Sequence, residues 1–266
     1  MNLRHYLNVV IACALIVAFD SYCGTAAEEG TRVVARVFGK DVTAQDIGLT
    51  ADFYKDTSAG ESASCAMPDP VEKLKRLIWN KVGLDYVNRN GLKATEQEIN
   101  EYGEHLDASM KQNRERRKVK LAEIEEKLES ASLTAEERKK LEKRRETLVS
   151  LAQHDAKRKL STLTTQQKKQ MKGLIYAEFI ENWKLNKAIY EKYGGIVAIT
   201  KFGPDPVGAK KEVLKDYEKQ GNFVILDEKL RKKFWEYCGQ TPKHVYPPGE
   251  VDFTPHWKKP IKERNN

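Results

Sequence analysis

Cysteine and histidine are scarce in this sequence of 266 residues, which contains four cysteines and five histidines. None of the histidines is spaced from another histidine, a cysteine or a carboxylate as the ligands of a zinc site are. A Gly-x-Ser-x-Gly nucleophile elbow is also missing. These absences argue against a metalloenzyme and against a serine hydrolase, and they leave no candidate catalytic residue, metal ligand or cofactor site.

A phosphate-binding loop is missing too, although glycines, a lysine and a helix start occur together between Tyr190 and Val213. A Walker loop places Gly-Lys-Ser/Thr directly before a helix, so that backbone amides surround the phosphate. Here Lys201 precedes Gly203, and Pro204 and Pro206 remove two of those amides. The stretch is typical of a strand, a proline turn and a capped helix, and it does not predict nucleotide binding.

The chain also lacks an apolar run long enough to span a bilayer, which takes about 20 residues. Its longest such run, Val9 to Phe19, follows a short start that contains Arg4 and precedes small residues. This order is the three-part layout of a secretory signal. We therefore expect residues 1–27 to be a signal peptide that is cleaved after Ala26 or Ala27. The mature protein is then periplasmic or secreted, without a transmembrane segment.

Signal cleavage would remove Cys13 and Cys23 and leave one pair of cysteines. The bulky Tyr22 before Cys23 departs from lipoprotein processing sites, so we do not expect a lipid there. In an oxidising compartment Cys65 and Cys238 are candidates for a disulfide. Because the closed loop is long, that bond would contribute about 4 to 5 kcal/mol in the chain-entropy model. Two unpaired thiols are the alternative.

Residues 28–110 have the pattern of a mostly helical segment that begins with a small β element. Apolar and polar residues alternate from Thr31 to Val42, which predicts a strand and a tight turn. Capping residues then predict a short helix at Thr43 and two long helices that start at Asp69-Pro70 and at Thr95.

Residues 171–239 resume the apolar pattern. The helix near Met171 has apolar residues around most of its circumference, which predicts a position in the core. The β-branched run from Ile196 to Thr200 predicts a strand that pairs with the first strand of the chain. Asp205-Pro206 and Asp227 predict the starts of two further helices. The expected fold class is therefore mainly α: a discontinuous helical body with a small two-stranded β element.

Residues 111–170 separate the two body segments and contain 18 basic and 10 acidic residues, but no phenylalanine, tyrosine or tryptophan. Two narrow apolar seams with a capping box at Thr134 between them predict an antiparallel, coiled-coil-like helical hairpin, which protrudes from the body as an arm. The seams consist of Leu121, Ile124, Leu128, Leu141, Leu148 and Ala152. Because the arm has no aromatic side chains for base stacking, we do not expect it to bind nucleic acid. An anionic surface stays open as a partner.

Residues 240–266 contain five of the nine prolines of the chain. Proline donates no backbone hydrogen bond, so regular secondary structure is not expected there. We expect an extended tail that is mobile unless it docks on the body.

The first body segment resembles a known domain. The stretch VVARVFGKDVTAQDI (residues 33–47) is followed by a helix that ends in GLKATEQEI (residues 91–99). Both pieces, in this order, are similar to the N-terminal chaperone domain of the SurA-type periplasmic peptidyl-prolyl isomerases. In that family the strand reads roughly Val-Val-Ala-x-Val-Asn-Gly, and Phe38 stands here where asparagine is usual. The resemblance covers about residues 32–106.

The resemblance implies a helical body that cradles unfolded polypeptide, with the segment from Met171 onward as its C-terminal part. The Gly-Gly-Asp-Leu-Gly-type motif of a parvulin domain is absent and the arm lies in its place, so prolyl isomerase activity is not expected. We therefore expect an exported chaperone-like protein that binds unfolded or extended polypeptide without catalysis. The alternative is an envelope structural or adaptor protein that docks a fixed partner or an anionic surface through its arm. Candidate peptide-binding residues, each of which could instead belong to the core, are Leu77, Trp79, Tyr86, Tyr176, Phe179 and Trp183.

Overall fold

A computed structural model describes residues 30–54, 69–130, 132–159, 164–247 and 249–261. The strands are β1 (Val33–Val37), β2 (Lys40–Thr43), β3 (Ala198–Thr200), β4 (Gly203–Asp205) and β5 (Phe223–Ile225). The helices are α1 (Ala44–Ile47), α2 (Pro70–Arg89), α3 (Glu96–Glu129), α4 (Ala135–Lys159), α5 (Thr165–Tyr193), α6 (Val207–Lys219) and α7 (Glu228–Cys238). Short 3-10 turns occupy Ala51–Tyr54 and His256–Lys258. The prediction of a mainly α fold is confirmed.

The first two strands form the tight hairpin that the sequence predicts. Strands β1 and β2 are antiparallel, and Val37 pairs with Lys40 across a two-residue turn. Both turn residues have positive φ angles, 49° at Phe38 and 73° at Gly39. This conformation favours asparagine followed by glycine. Phe38 adopts it while its ring packs 6.2 Å from the ring of Tyr217 on α6, so a body contact accompanies the unfavourable backbone conformation.

The predicted partner of the first strand is wrong. The other edge of β1 is taken by β5, and together with β2 they form a three-stranded sheet in the order β2-β1-β5. The run from Ile196 to Thr200 instead contributes β3, which pairs with β4 in a separate two-stranded hairpin. Packing accounts for the choice: Phe223 and Ile225 of β5 are both buried, whereas Ile199 of β3 is 50% exposed.

The main core is built from residues on both sides of the arm. Buried side chains of β1 and α2 pack with buried side chains of α5, α6, β5 and α7 in one cluster. Leu74 and Ile78 from the first side, and Leu230 and Phe234 from the second, are fully buried. The two sequence-distant segments therefore share one hydrophobic interior.

Asp227 links the two segments and starts α7, as its position in the sequence predicts. Its carboxylate accepts a hydrogen bond from the backbone N–H of Leu230 at 2.8 Å, which caps the helix. The same side chain accepts hydrogen bonds from Arg32 at 3.1 Å and from the Tyr54 hydroxyl at 2.7 Å. Burial acts to raise the pKa of Asp227, but the bonds from Leu230, Tyr54 and Arg32 outweigh it, so the pKa is lowered.

We expect Asp227→Ala to lower the free energy of unfolding by about 1 to 2 kcal/mol, because it removes a helix cap. Asp227→Asn keeps a capping oxygen and should cost less. Since the folded-state pKa of Asp227 is lowered, its charge stabilises the fold above the unfolded-state pKa of about 3.9, and this contribution is lost as the pH falls through the folded-state pKa. Urea unfolding at pH 7 and pH 3 tests this. The difference between wild type and Asp227→Asn should shrink at pH 3, and a constant difference would contradict the charge contribution.

The arm is the predicted antiparallel hairpin. Helix α3 is 34 residues long, about 50 Å, and continues from the body into the arm without a break. Helix α4 returns along it after a turn in which Thr134 and Glu137 form the predicted capping box. Arg138 donates to the carbonyl of Leu128 at 3.0 Å and so satisfies the end of α3. Among the described residues of the arm, Ile124 alone is buried.

Two further expectations need correction. Asp205 does not cap α6: it ends β4, its carboxylate lies 2.6 Å from the Lys210 amine, and Pro206 precedes the helix without a side-chain cap. One face of the first half of α5 is not core, since Met171, Leu174 and Ile175 are exposed. The sequence leaves docking of the tail open, and the structure shows that the tail docks: Trp257 is 7% exposed and packs on the body.

Several predicted features lie outside the described residues. These are the signal peptide of residues 1–27, including Cys23, and the loop that contains Cys65. Cys238 is a buried thiol, and its disulfide with Cys65 stays a prediction. Over the ranges that the structure describes, each helix is too short or too polar to cross a membrane.

Candidate functional site

Helix α5 is the element around which the candidate site is built. Its start is fixed by a capping box, in which Thr164 accepts from the backbone N–H of Gln167 at 3.2 Å and the Gln167 side chain accepts in return. It runs for 29 residues to a glycine stop at Gly194. Its second half, with Leu185 and Ile189, belongs to the main core. Its first half packs on α3 through Tyr176 and Phe179, which contact Tyr102.

Three neighbouring apolar side chains on the first half of α5 face solvent, and we call them the apolar row. The apolar row consists of Met171, Leu174 and Ile175, which are 48%, 74% and 56% exposed. Residues three and four apart share a helix face, so the row forms one surface. Helix α2 ends at Arg89, and the residues that α5 contributes to the cleft between the two helices begin at Glu178, after the row.

The apolar row leads into a cleft between α2 and α5. The cleft has a volume of about 360 Å³. Leu84, which is 52% exposed, and Trp79 contribute apolar surface from α2. The two helices approach closely at Gly83, where an added Cβ would lie 3.2 Å from Leu185. Because Leu174 precedes Glu178 of the cleft by one helical turn, the row and the cleft lie along one face of α5.

A polar network fixes α5 against the start of α3 beside this cleft. Glu181 accepts a hydrogen bond from the backbone N–H of Ala94 at 3.2 Å. Lys184 donates to the carbonyl of Lys93 at 2.9 Å and to Glu98 at 2.7 Å. Burial opposes ionisation of Glu98, but the bonds from Lys184 and Thr95 outweigh it and lower the pKa of this carboxylate. The network therefore fixes α5, which forms one wall of the cleft, against the start of α3.

Another face of α5 carries aromatic residues that pack on Tyr102 of α3. We call these residues, together with Tyr102, the aromatic cluster. The aromatic cluster consists of Tyr102, Tyr176, Phe179 and Trp183. The ring of Tyr102 lies 5.1 Å from that of Tyr176 and 5.2 Å from that of Phe179. The helices meet closely here, since a Cβ at Gly103 would lie 3.1 Å from the Tyr176 ring. Burial raises the pKa of Tyr102.

The tail lies across the aromatic cluster. The ring of Trp257 lies 5.2 Å from that of Tyr102, 5.6 Å from that of Trp183 and 6.2 Å from that of Phe179. The indole N–H of Trp183 donates to the carbonyl of Phe253 at 3.0 Å. This part of the tail is thus held by an aromatic anchor, which lies in the 3-10 turn, and by one side-chain bond to its backbone.

A third surface, between α2, α6 and α7, is lined by basic and aromatic residues. It forms a cleft of about 560 Å³. The amine of Lys75 lies 4.8 Å from the centre of the Tyr237 ring, and that of Lys210 lies 5.0 Å from the Trp79 ring. Burial raises the pKa of the Cys238 thiol to about 11. At neutral pH this thiol is protonated, so it is a poor nucleophile.

The structure divides the six candidate residues between two places. Tyr86 is buried in the main core, and Leu77 and Trp79 pack against that core, with Trp79 also lining the cleft between α2 and α5. Tyr176 and Trp183 are buried in the aromatic cluster, and Phe179 packs there. Peptide binding by the six stays a prediction. The sequence predicts that the apolar row belongs to the core, and this prediction is wrong. The polar residues Glu178 and Asn182 lie on the same face of α5, one and two turns further on, and they are a signal that this face is exposed.

Metal-ligating groups do not assemble in the described part of the chain, where no cluster of three histidine, cysteine or carboxylate side chains could hold an ion.

No protein-family model matches the chain, and neither a curated protein nor a solved structure is significantly similar to it.

Proposed function

We propose that this protein is an exported, chaperone-like protein that binds unfolded or extended polypeptide without catalysing a reaction. The observation that carries the proposal is the apolar row of α5, which continues into the cleft between α2 and α5. Single exposed apolar residues are common, but contiguous apolar surface beside a groove is typical of a binding site. The resemblance of residues 32–106 to a chaperone domain, and the predicted signal peptide, support the same function.

The size of the apolar row favours weak, exchangeable binding. Covering a large aliphatic side chain contributes about 1.5 to 3 kcal/mol when it is fully buried, and the three members of the row are already partly covered. The gain from the row is therefore on the order of 3 to 5 kcal/mol, from which the cost of ordering the bound segment must be subtracted. A client that binds at several such places is held, whereas one that folds and hides its apolar residues is released.

The direct test is suppression of aggregation. An unfolded outer-membrane protein is diluted from denaturant, and light scattering is followed with and without the purified mature chain. A several-fold excess of the chain should keep the client soluble. Scattering that is unchanged at this excess would refute the proposed function.

One observation favours a second candidate, the adaptor that docks an anionic surface through its arm. Lys139, Lys140, Lys143 and Arg144 are exposed within two turns of α4, and none of the four forms an ion pair in the described part of the chain. Such a basic surface attracts anionic headgroups, and salt weakens that attraction.

We expect replacement of these four residues by glutamate to abolish any binding of the chain to vesicles that contain anionic lipid, because charge reversal turns attraction into repulsion. Co-sedimentation with anionic and neutral vesicles, at low and at high salt, measures this. Client holding should be unaffected by the substitution if the apolar row is the client site. Binding to neutral vesicles, or binding that persists in the variant, would count against the adaptor. Cross-linking in the envelope separates the two functions further, since a chaperone gives many partners and an adaptor gives one.

A further inference from the structure

Residues 252–258 of the tail, which we call the strap, cross the aromatic cluster while remaining largely outside the fold. Trp257 is the buried residue of the strap, whereas Asp252, Thr254, His256 and Lys258 are exposed. The strap therefore buries Trp257, and the rings of Phe253 and His256 lie against Tyr190 and the aromatic cluster, respectively. Its side chains at Asp252, Thr254 and Lys258 are in solvent.

Most polar contacts of the strap are local to the tail. The Asp252 carboxylate accepts from the backbone N–H of Thr254 at 2.7 Å and from Lys259 at 2.6 Å. Two polar contacts join the described residues of the strap to the body. The indole N–H of Trp183 donates to the carbonyl of Phe253, and Lys258 forms an ion pair with Glu101 at 3.8 Å. Such a segment can leave as a unit without breaking a backbone ladder.

The aromatic cluster does not depend on the strap for its form. The direct ring contacts of Tyr102 with Tyr176 and with Phe179 are made between α3 and α5 themselves. Contacts outside the cluster hold the same two helices together, including the bond from Lys184 to Glu98 and the ion pair between Lys172 and Asp107 at 3.6 Å. Removal of the strap would leave a preformed aromatic groove.

The fit of the strap is imperfect, and its tether is fixed. In the described part of the chain the indole N–H of Trp257 is buried without a hydrogen-bond partner, which disfavours the docked state. Just before the strap, the backbone N–H of Tyr246 donates to the carbonyl of Val197 at 2.9 Å. Gly249 then adopts a positive φ of 81°. The tail is thus anchored at β3 while the strap beyond it can swing away.

We propose that the aromatic cluster is a second binding site for unfolded polypeptide, specifically for a segment with a large aromatic side chain, and that the strap is its built-in competitor, which a client segment must displace. The proposal rests on the proposed function for the nature of the client. The strap itself shows the chemistry that the groove accepts: a segment that buries one large aromatic side chain from a short 3-10 turn, makes no ladder of backbone hydrogen bonds with the body, and places a carbonyl to accept from Trp183.

The test adds a fluorescent peptide with the sequence of residues 249–261 to the full-length mature chain and follows its anisotropy. Trp257→Ala, which empties the groove, should bind the peptide at least tenfold more tightly than wild type. Lys258→Glu, which faces Glu101 and leaves the aromatic residues intact, should shift binding in the same direction and serves if the first variant folds poorly. Glu250→Ala lies outside the strap and should behave as wild type does.

An unfolded client should then displace the peptide from Trp257→Ala. Equal peptide binding by wild type and both strap variants, absence of binding to all of them, or failure of the client to compete would each overturn the proposal. The peptide assay uses neither the apolar row nor aggregation, so it can fail while the proposed function stands. Conversely, a chain that binds the peptide through its groove but does not hold clients would refute the proposed function by the scattering assay.

Discussion

Replacing Leu174 and Ile175 together by aspartate is expected to lower the affinity of the chain for an unfolded client at least tenfold. The two side chains are the most exposed members of the apolar row, at 74% and 56%. Loss of two aliphatic contacts removes on the order of 3 kcal/mol of favourable transfer free energy, and 1.4 kcal/mol corresponds to a factor of ten in affinity. Fluorescence titration with a labelled unfolded outer-membrane protein measures the change.

The same double substitution should leave the fold intact, since both positions point to solvent. Aspartate at an exposed helix position costs less than about 1 kcal/mol each in helix propensity. The matched control is Val119→Asp with Leu151→Asp, which places the same charges on exposed apolar positions of the arm, where the residues are 59% and 44% exposed. If this control reduced client affinity as much as the row variant did, net charge rather than the apolar row would explain the result.

Local signals in the sequence were sufficient to place most helix starts. The capping boxes at Thr43, Thr95 and Thr134 each join residues three positions apart, and all three are present in the structure. Asp69 and Asp227 cap their helices as well. These predictions succeed because the chemistry of a cap is contained within one turn.

The pairing of the strands could not be predicted from local signals in the sequence. The run from Ile196 to Thr200 and the segment Phe223–Ile225 both have strong β propensity, and either could have completed the edge of β1. The choice depends on which segment presents its apolar residues to the interior once α6 and α7 are in place. The hydrogen bond from Gly208 to the carbonyl of Ile196 holds the first of them at the start of α6, away from β1.

The candidate site was only half visible for a related reason. The aromatic residues Tyr176, Phe179 and Trp183 stand out in the sequence, but their actual neighbour, Trp257, lies more than 70 positions later in a segment without periodicity. The exposure of the apolar row depends on which other elements pack on this face of α5, and the sequence of α5 does not encode that. Non-local geometry therefore decides which apolar face of α5 is interior and which one is free to bind.

Phe234→Ala is expected to lower the free energy of unfolding by about 3 to 5 kcal/mol, the usual cost of removing a buried phenylalanine ring. Phe234 is fully buried on α7, and its ring lies 6.3 Å from that of Phe223 in β5. Because α7 packs on α2, the loss should spread to the first body segment. Urea unfolding gives the magnitude, and amide hydrogen exchange along α2 shows whether both segments lose protection together.

The control is Phe202→Ala, which makes the same chemical change at a position that is 66% exposed and should cost less than about 0.5 kcal/mol. Protection of α2 that is unchanged in Phe234→Ala would mean that the two segments unfold independently, and the shared interior would not be a single cooperative unit.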